Sequence, residues 1–295
     1  MGDLVLSGNL MAGRRGLVMG VANDHSIAWG IARTLRAHGA ELAFTYQNDA
    51  FEKRVRPLAE SVDAALVVKA DVEDDASLDR CFSQIDEAWN RLDFVVHAVA
   101  YSDKAELKGR YLDTTRANFR RSLDISCYSF TDLARRAEPL LLRSEAAGGG
   151  SLLTLTYLGA QRVMPNYNVM GVAKAALEAS VRYLAVDLGH NGIRVNGISA
   201  GPMRTLAGSA IGDARMVFKW NRMHAALKKN VDLDEIGGSA LYLLSDLSAG
   251  VTGEIHYVDS GFNVIAMPRV DDLKAQGMTD HGLKGNGANG HGGGA

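Results

Sequence analysis

Short apolar runs alternate along this chain with longer segments in which apolar residues recur every three or four positions. Gly16 to Val21 (GLVMGV), Glu41 to Thr45 (ELAFT), Ala65 to Val68, Phe94 to Val99 (FVVHAV), Leu152 to Leu155, Ile193 to Ser199 (IRVNGIS) and Glu254 to Val258 (EIHYV) read as buried strands. Between them the three- and four-residue period predicts helices from Ser26 to near Gly39, Ala50 to Ser61, Asp75 to Arg91, Phe119 to Leu142, from Tyr167 onward, and Asp234 to Ser245. Ser26 suits an N-cap and Gly39 the C′ position of the first helix. Met203 to Asn230 carries Met203, Ile211, Met216 and Phe218 without helical regularity. It reads as a lid over an apolar ligand or as peripheral helices on the core. Seven strands alternating with helices predict an α/β fold, a doubly wound parallel sheet with helices on both faces.

Composition narrows the class. A chain of 295 residues, 47% hydrophobic, can bury a full core. Its formal net charge of −2, with both signs interspersed, gives no electrostatic case for nucleic acid or a membrane surface. No window approaches the about 18 apolar residues of a membrane helix, and Gly8, Asn9, Arg14 and Arg15 interrupt any signal-peptide core near the start. Cys81 and Cys127 have no ligand spacing, so no metal site is expected, and they read as free thiols of a cytoplasmic protein. The segment from 271 to 295 turns Gly-rich, ending HGLKGNGANGHGGGA, and is expected to be a disordered extension. Residues 1 to 270 remain as one Rossmann-like unit.

The candidate chemistry lies at the carboxyl ends of the predicted strands, where open α/β sheets bind ligands. After the first strand, Gly20 permits a tight turn, the amides of Ser26 and Ile27 open a helix that can hold a pyrophosphate, and Gly30 allows close packing on the sheet. Asp71 and Val72 follow the third strand, where a carboxylate could accept from an adenine amino group or cap the next helix. His97 to Ala100 follow the fourth, with small residues that admit a nicotinamide ribose; His97 itself reads as a satisfied structural histidine. After the sixth strand, Met203, Arg204, Thr205, Leu206 and Ala207 offer amides and a hydroxyl suited to a carboxamide or phosphate. The second strand ends Thr45-Tyr46-Gln47-Asn48-Asp49, with no cation at the turn to receive a ribose 2′-phosphate. Lys53 and Arg54, one turn later, suit a solvated face.

The stretch from Ser151 to Lys174 organises the rest. Tyr167 and Lys174 are seven residues apart on a helical pattern, so they return to within roughly 20° of one another and share a stripe. A Lys on a buried stripe either snorkels or meets a partner.

These residues resemble a known family. SIAWGIA, AELAFTYQND, the segment from Tyr157 to Lys174, GIRVNGISAGP, RTLA and SDLSAGVTGEIHYVDSGF together are similar to the bacterial NADH-dependent enoyl-acyl-carrier-protein reductases, divergent members of the short-chain dehydrogenase/reductase superfamily. The similarity runs in order over about residues 6 to 268. Most of the superfamily carries Tyr-x3-Lys, but position 170 is Met170; the enoyl reductases carry Tyr-x6-Lys with a second Tyr ten residues earlier, matched by Tyr167, Lys174 and Tyr157. Ala100 stands where many of these reductases have Gly.

The resemblance implies that Gly20, Ser26, Ile27, Gln47, Asp71, Val72, Val99, Lys174 and Met203 to Ala207 bind NADH, and that Ser102 lies beside the acyl substrate. It makes Tyr157 and Tyr167 the paired active-site tyrosines. The implied reaction adds hydride at C3 of a trans-2-enoyl thioester carried on acyl carrier protein, in fatty acid biosynthesis. Tyr167 would steady the enolate oxygen, while Lys174 would hold ribose hydroxyls and lower the phenol pKa. A homotetramer is implied too. Two other functions on this fold are disfavoured: a ketone or alcohol dehydrogenase by Met170, and a catalytically silent nucleotide sensor by the retention of both tyrosines with Lys174.

Overall fold

The computed structural model describes residues 7–205, 208, 213–275 and 277. Strands β1 (Arg15–Met19), β2 (Glu41–Tyr46), β3 (Leu66–Lys69), β4 (Phe94–His97), β5 (Ser151–Thr156), β6 (Arg194–Ala200) and β7 (Ile255–Val258) form one sheet in the order β3-β2-β1-β4-β5-β6-β7. Every neighbouring pair is parallel. Each predicted strand is present, displaced by a residue or two at its ends.

Adjacent strand residues face opposite sides. Leu17, Val95 and Leu152 enter one core with Phe130 and Leu177, while Val18, Val96 and Leu153 enter the other with Trp29 and Ile236. This two-sided burial explains why the central strands are continuously apolar rather than alternating. Helices α1 (Ile27–Ala37), α2 (Asp49–Ser61), α3 (Asp75–Trp89), α4 (Arg116–Leu123), α5 (Ser129–Leu141), α6 (Asn168–Gly189), α7 (Ala214–His224) and α8 (Leu233–Leu244) supply the outer layers, and a short α9 (Val270–Ala275) straddles position 270. Lys228 Nζ reaches Asp272 Oδ2 on α9 at 2.6 Å. The Gly-rich run after Met278, with His281 and His291, lies outside the described residues, as do Leu206, Ala207 and Ile211.

Three local expectations change. The single helix expected from Phe119 to Leu142 is interrupted by a π-helical turn, Asp124–Tyr128, between α4 and α5. The turn and the α5 residue that follows it bring two serines to β4 and the segment after it: Ser126 Oγ accepts from the Tyr101 amide at 2.9 Å, and Ser129 Oγ lies 2.9 Å from His97 Nε2. Apolar periodicity carries no sign of such a bulge. Second, Gly30 serves a helix rather than the sheet, since a Cβ there would lie 2.7 Å from Leu233 Cβ on α8. Third, Asp71 does not cap α3, whose N-cap is Asp74.

The α1–α8 contact gives a direct test. Gly30→Ala should lower the unfolding free energy by about 1–3 kcal/mol through overpacking, read as a lower urea midpoint at a nearly unchanged slope; an unchanged midpoint would mean that Leu233 yields freely.

Candidate active site

The strand order reverses between β1 and β4, and the chain leaves the sheet in opposite directions on the two sides of that junction. Gly20, at φ +95°, follows β1 so closely that a Cβ would stand 2.1 Å from the Ala98 carbonyl oxygen after β4. Only glycine leaves that crevice open. Ser26 occupies the N-cap of α1 without capping it. Its hydroxyl turns back to accept from the Ala22 and Asn23 amides at 3.0 and 3.1 Å, while its own amide donates to the Asn23 carbonyl at 3.1 Å. Of the two amides expected to face an anion, that of Ser26 is therefore engaged. Ile27 begins the helix, and a first-turn amide has no intrahelical acceptor. Ser26 shapes the loop and Ile27 offers the donor.

Along the same edge, Gln47 after β2 donates to Asp71 Oδ2 after β3 at 3.2 Å, and Asp71 Oδ1 accepts from the Glu73 amide at 3.1 Å. Val72 and Val99 are half-buried beside the core under this edge. Met203 packs on the opposite core, and Arg204 lies over the Phe218 ring at 4.9 Å. Thr205 Oγ1 accepts from the Gly208 amide at 2.9 Å. Phe218 lies on α7, whose Asn221 donates to Asn230 at 2.9 Å. The segment expected to be either lid or peripheral helix thus contains a helix bonded to its own flank. Gly20, the amide of Ile27 and the carboxyl-edge groups Gln47 and Asp71 fit an extended dinucleotide: a narrow backbone cradle, an anion donor and polar partners for adenosine.

Lys174 is buried on α6 with 6% exposure, and its Nζ donates to the Leu155 carbonyl at 2.7 Å. Burial lowers its pKa to about 8. Tyr167, the N-cap of α6, meets Tyr157 edge-on with ring centroids 5.1 Å apart. Gly159 makes this possible, because a Cβ there would stand 2.3 Å from Tyr167 Cδ1. Gly171 extends the close approach, since its Cβ would lie 2.8 Å from the Gly159 carbonyl oxygen. Leu107 and Met170 pack with Tyr167, and Tyr157 and Met164 border that cluster. Ser102 lies in the segment after β4, where Asn118 Nδ2 donates to its hydroxyl at 3.2 Å. Asn118 Oδ1 also accepts from the Asp103 amide at 2.9 Å, and Asn168 Nδ2 donates to the Glu106 carbonyl at 3.0 Å. The segments after β4 and β5 are thereby pinned to each other across an apolar floor.

The electrostatics depart from expectation in one respect. Lys174 does not draw the phenol pKa down. Burial first, then the neighbouring Tyr157 and Glu178, pushes Tyr167 above the ordinary tyrosine value, and burial raises Tyr157 to about 12. Both phenols hold their protons at neutral pH and are available as donors. His97 is the satisfied structural residue expected, between Thr154 Oγ1 and Ser129 Oγ at 2.9 Å each, with burial lowering its pKa to about 3.

Glu178, Gln161 and Asn118 also border this site, and none of them stands out in the sequence pattern as a site residue. Glu178 is the most informative: it lies one helical turn beyond Lys174 on the same buried stripe, so its spacing was a usable signal. Asn118 and Gln161 belong to polar stretches and carried none.

A family model described as enoyl-(acyl carrier protein) reductase matches residues 20–263. The chain is 61% identical over 265 residues to enoyl-(acyl-carrier-protein) reductase (NADH) 2 of Rhizobium meliloti, spanning 90% of this chain and 97% of the relative. A Rickettsia typhi protein described as an NADH enoyl-acyl-carrier-protein reductase is 54% identical over 261 residues, 88% of this chain and 98% of its own. Among solved structures, the Anaplasma phagocytophilum enoyl-acyl-carrier-protein reductase in complex with NAD superposes with a TM-score of 0.85 at 57% identity, covering 90% of this chain and 99% of that one.

Competitive acetylation of the ligand-free protein, read peptide by peptide, should give Lys174 an inflection near pH 8, against about 10.4 for an exposed lysine. An inflection at the exposed value would remove the desolvated ammonium from this site.

Proposed function

The chain belongs to the enoyl-(acyl carrier protein) reductase family, and from that premise we propose how its own residues carry the reaction. The reaction is the NADH-dependent reduction of the 2,3 double bond of a trans-2-enoyl thioester in fatty acid synthesis, the activity for which its relatives are named. Bound NADH supplies the hydride that reaches C3. Charge then develops on the thioester oxygen, and a neutral phenol is suited to meet it.

Tyr167 is assigned that donor role. It is held by Gly159 and Tyr157, stays protonated through burial, and begins the helix that carries Lys174. Tyr157 backs the ring and supplies a second phenol. Lys174 is assigned to the ribose hydroxyls, with Gly20, Ile27, Gln47, Asp71, Val72, Val99 and Met203 to Thr205 along the dinucleotide; Ser26 shapes the loop, and Leu206 and Ala207 complete the proposed run. Ser102 borders the acyl end. Residues 1–270 act as one dinucleotide-binding and catalytic unit.

The observation that carries this reading is the placement of the phenols relative to Lys174. Position 170, where a Tyr-x3-Lys enzyme would place its acid, is a buried methionine packed against Tyr167. The gap at the end of β2 also favours NADH: no cation stands at Gln47-Asn48-Asp49, and Asp49 would repel a 2′-phosphate.

The acyl group arrives on acyl carrier protein. No described helix is long and apolar enough to cross a membrane, and the free Cys81 and Cys127 suit a reducing cytoplasm. Tyr183 and Val186 on α6, and Val264 and Met267 beyond β7, are large exposed side chains. They support a homotetramer of 222 symmetry that covers these faces.

Assays following NADH oxidation should show turnover with crotonyl thioester and not with acetoacetyl thioester, and a lower kcat/KM with NADPH. Tyr167→Phe should cut kcat by about 10²-fold with NADH affinity nearly unchanged, whereas Lys174→Ala should weaken NADH binding. Equal turnover of the keto thioester would move the enzyme to another class. Light scattering at micromolar concentration should return the mass of four chains; a monomer would leave those apolar faces without a partner.

A further inference from the structure

Glu178 is a carboxylate with 4% exposure that the reaction described above does not use. It lies one turn beyond Lys174 on α6, yet the two side chains form no ion pair. Glu178 Oε1 accepts from Thr156 Oγ1 at 2.8 Å and Oε2 from Gln161 Nε2 at 3.2 Å. Lys174 Nζ meanwhile donates to Leu155, the residue before Thr156. A cation and an anion from successive turns of one helix thus grip successive residues at the end of β5. Those anchor points flank the segment that carries Tyr157 and Gly159, since Thr156 precedes it and Gln161 follows it.

We propose that Glu178 is a positioning residue of this active site: it clamps the Tyr157 segment onto α6 at both ends and supplies the negative charge that keeps Lys174 an ammonium. The inference rests on the assignment of Lys174 to the dinucleotide.

Around Lys174 stand Cys127 from the π-turn, His97 from β4 and Glu178 from its own helix. His97 is neutral and can add no compensating charge. Around Glu178 stand the Tyr167 and Tyr257 phenols, both pushed above the ordinary tyrosine value with Glu178 among the causes. A buried ammonium is disfavoured by desolvation, and a nearby fixed carboxylate offsets part of that cost. Thr156 and Gln161 are the donors that hold the carboxylate in place. Binding of an anionic dinucleotide raises the Lys174 pKa further, so affinity must fall as pH rises through its free value near 8.

The two roles separate by substitution. Glu178→Gln keeps the reach and removes the charge; Glu178→Asp keeps the charge and shortens the reach. NADH affinity is read directly by fluorescence titration of each purified protein from pH 6 to pH 9, with turnover read separately. Glu178→Gln should bind NADH within about 2-fold of the parent at pH 6 but about 3- to 10-fold more weakly at pH 8, because its Lys174 loses the proton earlier. Glu178→Asp should keep the parent's affinity profile and lose about 3- to 30-fold in kcat as the Tyr157 segment loosens. A Glu178→Gln profile superimposable on the parent's overturns the charge role, and full turnover in Glu178→Asp overturns the clamp. Lys174→Ala in the same titration keeps the premise apart: if it binds NADH like the parent at every pH, the Lys174 assignment has failed rather than the Glu178 proposal.

Discussion

The burial of one ammonium group constrains much of this structure. Lys174 leaves water at the end of β5, and an isolated buried cation would be expensive. The fold answers locally: a backbone carbonyl from Leu155 accepts from Nζ, and a carboxylate lies one turn along α6. His97 shares the neighbourhood and is held neutral by its own burial, with Lys174 opposing its protonation as a second cause. Two buried cations could not coexist there. The hydroxyls of Thr154 and Ser129 therefore solvate a neutral ring, and the π-turn that delivers Ser129 belongs to the electrostatics of the site as much as to its shape.

That site can exist because two crossovers leave the sheet at one place. The crevice after β1 and β4 is kept narrow by backbone contact, with Gly20 against the Ala98 carbonyl. The floor after β5 is kept narrow by Gly159 and Gly171. Each of these glycines stands where a Cβ would collide with backbone or with the Tyr167 ring. The consequence is a set of polar groups placed by rigid elements rather than by long loops. The loop after β4, the longest near the site, is fastened by Asn118 and Asn168.

Most of the architecture was legible in the sequence because it rests on burial. Strands covered on both faces are continuously apolar, and the helices between them show their stripe, so the succession of elements and the fold class followed, though not the order of strands in the sheet. What failed has a common cause. The π-turn, the turning back of the Ser26 hydroxyl and the contact of Gly30 with Leu233 are decided by hydrogen bonds or by packing between distant elements, to which local periodicity is blind. The site divides the same way. Of the proposed site, Tyr167 and Lys174 are marked in the sequence by helical spacing, and Tyr157 by family resemblance. Glu178 was equally regular in its spacing but looked like one more charge on a helix. Only its burial beside Thr156 and Gln161 distinguishes it from a solvated residue.

The position of Tyr167 bears on which chemistry the fold can run. A phenol three residues closer to Lys174 would occupy position 170, inside the helix and within the apolar cluster of Leu107. Tyr167 stands instead at the N-cap position of the helix, in the same apolar cluster, with its ring resting on Gly159. Its pKa accordingly rises, which makes the phenol a poorer proton source but leaves it a competent hydrogen-bond donor. Reduction of a ketone requires a proton on the carbonyl oxygen as hydride arrives. Reduction of an enoyl thioester requires only that the enolate oxygen be stabilised, with the proton finally going to carbon. A phenol whose pKa is raised by burial suits the second task better than the first. Under the proposed assignment, the six residues between Tyr167 and Lys174 let one helix hold a buried ammonium and, at its N-cap, a protonated phenol.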